Sequence, residues 1–187
     1  MALSNATLII EKPIAQNLEQ SLALKKLQEQ SGRVIMCAMV ERFFLPFQKI
    51  KSWCEQTDGP FELEFIRRTK FPGNEWLSDP LTGGDITLDL GVHDIDLLQW
   101  FTNSSPNKIF KTNAKDPFRS DLSATMRDGS VAKLSFGWDI PPDSPHGLIN
   151  IVRVKSHNHE IFYESINNEI IIDGKSETLQ EQRIPNA

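Results

Sequence analysis

The chain has 187 residues, 39% of them hydrophobic, and a formal charge of −5: enough for one domain with a real core and room for a small appendage. The acidic balance argues against a nucleic-acid or anionic-membrane surface, and no apolar run approaches the ~20 residues of a membrane span. Two cysteines, Cys37 and Cys54, make neither a disulfide framework nor a zinc spacing, and no positively charged leader opens the chain, so a reducing cytoplasmic compartment is expected.

The first third reads β-α-β-α. Thr7-Leu8-Ile9-Ile10 is a short apolar strand, followed after Glu11-Lys12-Pro13 by a helix from about Asn17 to Gln30. Gly32 is placed for a left-handed cap. Arg33–Val40 is the next strand, and a proline-opened helix covers Pro46–Glu55. Phe61 to Arg68 then alternates apolar and charged residues, as a half-exposed strand does. Residues 71–84, rich in Pro, Gly, Asn and Asp, read as loop, and a helix spans about Asp85–Phe101.

Beyond it only strands are predicted: Ile109–Thr112, Ser120–Met126, Ser130–Gly137, Ile149–Ser156, Glu160–Tyr163 and Glu169–Ile172. Asp128-Gly129 marks a hairpin turn, and Trp138–Gly147 a long connection. The order predicts an α+β domain: an open, mainly antiparallel sheet with helices on one face, preceded by a βα unit.

The Asp85–Phe101 helix carries the strongest chemical signal. Asp89, His93, Asp96 and Trp100 stand at i, i+4, i+7 and i+11, one stripe of a helix whose Leu88, Val92, Ile95, Leu97 and Leu98 can bury it. Asp89 and His93 are either a surface pair worth a few tenths of a kcal/mol or a carboxylate tuning an imidazole for proton transfer.

Strand, Glu11-Lys12-Pro13 and helix, then Val40-Glu41-Arg42-Phe43, the block Asp89-Leu90-Gly91-Val92-His93-Asp94-Ile95-Asp96, and Arg127-Asp128-Gly129-Ser130-Val131-Ala132 follow one another in an order that resembles the Gfo/Idh/MocA family of NAD(P)-dependent sugar and cyclitol oxidoreductases. Each piece is short; their order and spacing carry the resemblance, which runs from Leu8 to about Gly174. It implies that Lys12, Asp89 and His93 are catalytic, that Glu11, Lys12 and Pro13 meet the cofactor, that Arg42, Lys12 and His93 meet the substrate, and that the Lys12–Pro13 bond is cis. Residues 1–31 would then be a remnant of the dinucleotide-binding domain, and 32–187 the substrate and oligomerisation sheet domain, short at its C-terminus. Phe44-Leu45 departs from the family, where an Asn often precedes the proline, and puts substrate contacts from that loop in doubt.

The chemistry is consistent with that implication. Oxidising a secondary alcohol needs a base for the hydroxyl proton and a donor or positive charge for the developing alkoxide. His93 suits the base, Asp89 could fix its tautomer, and Lys12 could donate to the same hydroxyl. The plainer alternatives are a surface lysine, a helix-start proline, a Glu11 that ties down its loop, and an Arg42 that anchors a strand end. Asp96 reads as structural, Trp100 as core, and His146, His157 and His159 as solvent-facing without carboxylate partners. A metal at Asp89, His93 and Asp96 is not expected, for want of complementary ligands.

NAD or NADP is the implied cofactor. With ten residues before Glu11 and no G-x-G-x-x-G in the chain, none is expected to bind this chain alone. The function expected is hydride transfer between a nicotinamide cofactor and a ring hydroxyl of a sugar, nucleotide sugar or cyclitol. The alternative is a non-catalytic sheet module that mediates oligomerisation or regulates an intact paralogue. Either way the partners expected are a sugar-like small molecule and further copies of the chain, which pack through the open sheet face.

Overall fold

A computed structural model describes residues 7–73, 85–113, 116 and 118–179 of the chain. The predicted loop beyond Gly73, with Gly83 and Gly84, lies outside these residues, as does the chain after Leu179.

Strand β1 (Leu8–Ile10), helix α1 (Leu18–Ser31) and strand β2 (Ile35–Cys37) form a βαβ unit whose two strands pair in parallel. Asn17 caps α1 by accepting the Gln20 N–H at 2.9 Å, and Gly32, at φ 65°, closes it in the left-handed region. α1 buries none of its residues, and Leu18, Leu22 and Leu27 are exposed. Arg33–Val40 is not one long strand: β2 stops at Cys37, and Val40–Phe43 turns as a 3-10 helix. Apolar content alone does not distinguish a buried strand from a short helical turn.

Helix α2 (Leu45–Gln56) follows, with Pro46 in its first turn where a missing N–H costs nothing. Then come β3 (Glu62–Lys70), a π-helical turn over Thr87–Gly91, helix α3 (Val92–Thr102) and seven strands: β4 (Pro106–Asn113), β5 (Arg119–Met126), β6 (Val131–Ile140), β7 (Leu148–Ser156), β8 (His159–Glu164), β9 (Glu169–Ile172) and β10 (Lys175–Thr178). They make one eight-stranded sheet in the order β10-β9-β8-β7-β3-β6-β5-β4. Within this sheet, among the described residues, only β3 and β6 pair in parallel, and the other pairings are antiparallel. The architecture is the expected α+β one, with an open sheet and helices on one face.

Period-two alternation decides which side chains meet those helices. Leu63, Phe65, Leu122, Leu134, Phe136, Val152, Val154 and Ile161 are buried together with Phe47, Ile50, Cys54, Leu97, Leu98 and Phe101 of α2 and α3. The opposite face carries Ile66, Val131, Ile149, Ile151 and Phe162, interleaved with charge. Arg153 stacks over Phe162, 4.7 Å from its centroid, and pairs with Glu160 at 3.1 Å. That face is more polar than a continuous apolar patch. Lys51 of α2 donates to Asn103, the left-handed cap of α3, at 2.9 Å, which ties the two helices together.

Candidate functional site

Lys12 lies just past the end of β1 and half-buried, and its bond to Pro13 is cis, as the family resemblance implies. Its ammonium reaches a residue 77 positions away, donating to the Asp89 carbonyl oxygen at 2.8 Å and to Asp89 Oδ1 at 2.9 Å. The βαβ unit and the sheet domain meet at this ion pair. Glu11 beside it is exposed.

Asp85 opens the helical segment by accepting the Thr87 N–H at 2.9 Å and the Leu88 N–H at 3.2 Å. The next turn is π-helical and brings Gly91 against the Phe136 ring of β6, so close that a Cβ on Gly91 would lie 2.8 Å from it. π turns of this kind recur at functional sites. The wider turn also displaces Asp89 relative to the i, i+4 stripe. Its two oxygens are taken up by Lys12 and by Trp138, whose indole Nε1–H donates to Oδ2 at 3.2 Å. His93 Nδ1 is buried, with no hydrogen-bond partner among the described residues. Nδ1 therefore makes no direct hydrogen bond to Asp89.

His93 remains in the same electrostatic neighbourhood. Burial, then the positive charges of Arg67 and Lys12, depress its pKa to about 4, against the weaker opposite pull of Glu41 and Asp89. It is a neutral imidazole at physiological pH. Arg67 is only 3% exposed. It is gripped by Asp94 of α3 and Glu41 of the 3-10 turn. Arg68 is likewise engaged, with the Ser135 carbonyl at 2.7 Å.

Arg42, on the 3-10 turn, clamps Asp96 with Nε at 2.7 Å and Nη2 at 2.6 Å, and its guanidinium lies 5.8 Å from the Trp100 centroid. Asp96 is structural, and Trp100 packs against the core. His159 does have a carboxylate partner, Asp173, at 2.9 Å across a hairpin. Among the described residues no cluster of three or more His, Cys, Asp or Glu could hold a metal ion.

The sequence reading missed Trp138. It ended the strand at Gly137, yet the alternation Leu134, Phe136, Trp138, Ile140 continues through it, and β6 runs to Ile140. That alternation was the available signal.

Residues 60–149 match the family model of the GFO/IDH/MocA C-terminal domain. The chain carries a Gfo/Idh/MocA C-terminal domain. The rhizopine catabolism protein MocA of Rhizobium meliloti is 31% identical over 70 residues, 33% of this chain and 22% of that protein. UDP-N-acetylglucosamine 3-dehydrogenase GnnA from Acidithiobacillus ferrooxidans superposes with a TM-score of 0.73 at 20% identity, over 94% of this chain and 56% of that one. The WlbA dehydrogenase from Thermus thermophilus, in complex with NAD and UDP-GlcNAcA, gives 0.70 at 18% identity, over 95% and 54%. At such identities the structural likeness speaks for the fold. The chain spans a little over half the length of these two structures.

The Gfo/Idh/MocA resemblance implies NAD(P), and the residues present fit it only in part. The β1–α1 connection, residues 11–17, holds no glycine, and Asn17 already caps the helix N-terminus. That turn lacks the glycine-rich phosphate-binding fingerprint of a dinucleotide fold. Lys12, at its mouth, is suited to the nicotinamide end. Among the described residues no helix is long and apolar enough to cross a membrane.

Proposed function

We propose that Lys12, Asp89 and His93 form the proton-handling part of an oxidoreductase that converts a ring hydroxyl of a sugar, nucleotide sugar or cyclitol to a ketone, or the reverse. The observation that carries this reading is the ion pair of Lys12 with Asp89, which sets a cation beside a buried neutral imidazole with an unengaged nitrogen. A nicotinamide cofactor would supply the hydride chemistry, its pyrophosphate held by groups other than the β1–α1 turn.

The roles follow from the hydrogen-bond inventory. An ammonium has three donors, and two of those of Lys12 are spent on Asp89. The third is left for a substrate oxygen, where it offsets the charge of a forming alkoxide. His93, kept neutral by burial and by its cationic neighbours, takes the hydroxyl proton. Asp89 orients Lys12. Arg42, bound to Asp96, shapes the site's edge and leaves substrate contact to Lys12 and His93. The substrate class is supported by the nucleotide-sugar dehydrogenases that share this fold.

Saturation-transfer NMR with UDP-N-acetylglucosamine, its uronic acid and myo-inositol tests the reading on the full chain. At least one should give a signal that Lys12→Met abolishes. Absence of signal from all three, or signals indifferent to Lys12→Met, would overturn it.

A second reading, a sheet module that assembles with further copies, is favoured by Ile66, Ile149, Ile151 and Phe162 on the open face. Light scattering at micromolar concentration tests it: a dimer dissociated by Ile151→Glu supports it, and a monomer ends it.

A further inference from the structure

Trp138 is 5% exposed, and its single polar atom has to find a partner inside the protein. Its backbone N–H donates to the Phe118 carbonyl at 2.9 Å, and Phe71 packs edge-on against its ring with centroids 5.7 Å apart. Phe71 in turn meets Phe118 edge-on at 5.6 Å. The indole is therefore immobilised by strand pairing on one side and by rings on the other. Held in this way, it gives its N–H to a carboxylate that is still partly open to solvent and had water as an alternative.

The consequence is geometric. A carboxylate free at one oxygen can rotate about its terminal torsion, which is broad and soft. With Oδ2 fixed by the indole, Asp89 presents one oxygen, Oδ1, to Lys12. The Asp89 carbonyl then fixes a second ammonium proton. Two fixed acceptors define the direction of the third proton. Without the indole, the carboxylate could turn, and the ammonium would follow it.

We propose that Trp138 is a positioning residue of the candidate site: its indole N–H locks the Asp89 carboxylate and, through it, aims the free N–H of Lys12. The inference rests on the reading of Lys12 and Asp89 as a functional pair. It adds Trp138, near the end of β6, to the Lys12, Asp89 and His93 that the sequence motifs supply.

The test uses the full chain and two readouts. The chain has four tryptophans, so the indole region of a ¹⁵N–¹H spectrum holds at most four cross-peaks, and Trp138→Phe identifies the one in question. Asp89→Asn in the otherwise intact protein should shift that peak more than the other three; an unmoved peak overturns the contact without any change to Trp138. The second readout is reductive methylation of Lys12 followed by mass spectrometry. Trp138→Phe keeps an aromatic ring at this position and removes the donor, and it should raise the Lys12 methylation rate severalfold, as should Asp89→Asn. If Asp89→Asn raises the rate and a folded Trp138→Phe does not, the positioning role is wrong while the Lys12–Asp89 pair stands. If neither raises it, the pair itself is wrong, and the proposed function falls with it.

Discussion

The Arg67 guanidinium grips a single oxygen of Asp94 with two of its nitrogens, Nε at 3.0 Å and Nη2 at 2.7 Å, where the two side chains are only 4% and 2% exposed. A third nitrogen holds Glu41 at 2.7 Å. Three elements converge on this one cation: β3, the 3-10 turn and the first turn of α3, where His93 is the neighbouring residue. Removing charges from water costs several kcal/mol per ion, so such a cluster is weak evidence for net stability, but breaking it leaves carboxylates buried and uncompensated.

Arg67→Met should therefore destabilise the fold by about 3–5 kcal/mol, far more than loss of an exposed pair such as Lys49–Glu177, worth about 0–1 kcal/mol. Urea unfolding of Arg67→Met beside Lys49→Met measures the contrast. Equal midpoints would mean that Asp94 and Glu41 find other partners.

Much of this was legible in the sequence, and the residues say why. Alternation in Phe61–Arg68 and in the later strands sorted side chains between the two faces, and Asp128-Gly129 gave the β5–β6 turn, with Gly129 at φ 92°. Lys12 and Asp89, 77 residues apart, were paired only through the family resemblance, because no local pattern encodes so distant a contact. What stayed hidden has a common cause. The π turn at Thr87–Gly91, the Arg67 cluster and the Trp138–Asp89 bond all arise where separate elements press together, and apolar periodicity carries no information about which polar atoms then meet.

The depressed His93 pKa predicts how stability varies with pH. The unfolded imidazole takes its proton near 6.5, whereas the folded one resists until about 4. Between those values the unfolded chain binds more protons, so stability is intact above about pH 6.5 and falls as pH drops toward 4. The bare shift is worth about 2 kcal/mol at about pH 5, and solvent screening of a partly open group reduces that to about 1 kcal/mol. His93→Gln should flatten the slope by that amount in urea titrations at about pH 7.5 and about pH 5. The same slope in both proteins would place the titration in a group other than His93.

The two thiols should differ in reactivity. Burial pushes Cys54 up to about 12, leaving almost no thiolate at neutral pH and little access for a reagent. Cys37 is also raised, by burial and then by Asp96, but it is only half-buried. A disulfide reagent at neutral pH should modify Cys37 slowly and leave Cys54 untouched until denaturant is added, as peptide mapping would read out. Modification of Cys54 in the native protein would mean that the α2–sheet core opens far more often than its packing implies.

Gly91 sets how closely the π turn approaches the sheet. A Cβ there would stand 2.8 and 3.0 Å from Cε2 and Cζ of Phe136 and 3.2 Å from Thr87 Cγ2. Phe136 is fully buried and has nowhere to retreat. Replacing glycine by alanine in a helix gains up to about 1 kcal/mol of propensity, whereas overpacking a tight core costs about 1–3 kcal/mol. With the neighbouring ring fixed, the steric cost outweighs the gain, and Gly91→Ala should lower the melting temperature. The strain would be relieved by moving the turn outward, which carries Asp89 away from Trp138. The variant should therefore also perturb the Trp138 indole resonance. A Gly91→Ala protein at least as stable as the parent, with an unchanged indole peak, would show that the turn is not held by its contact with Phe136.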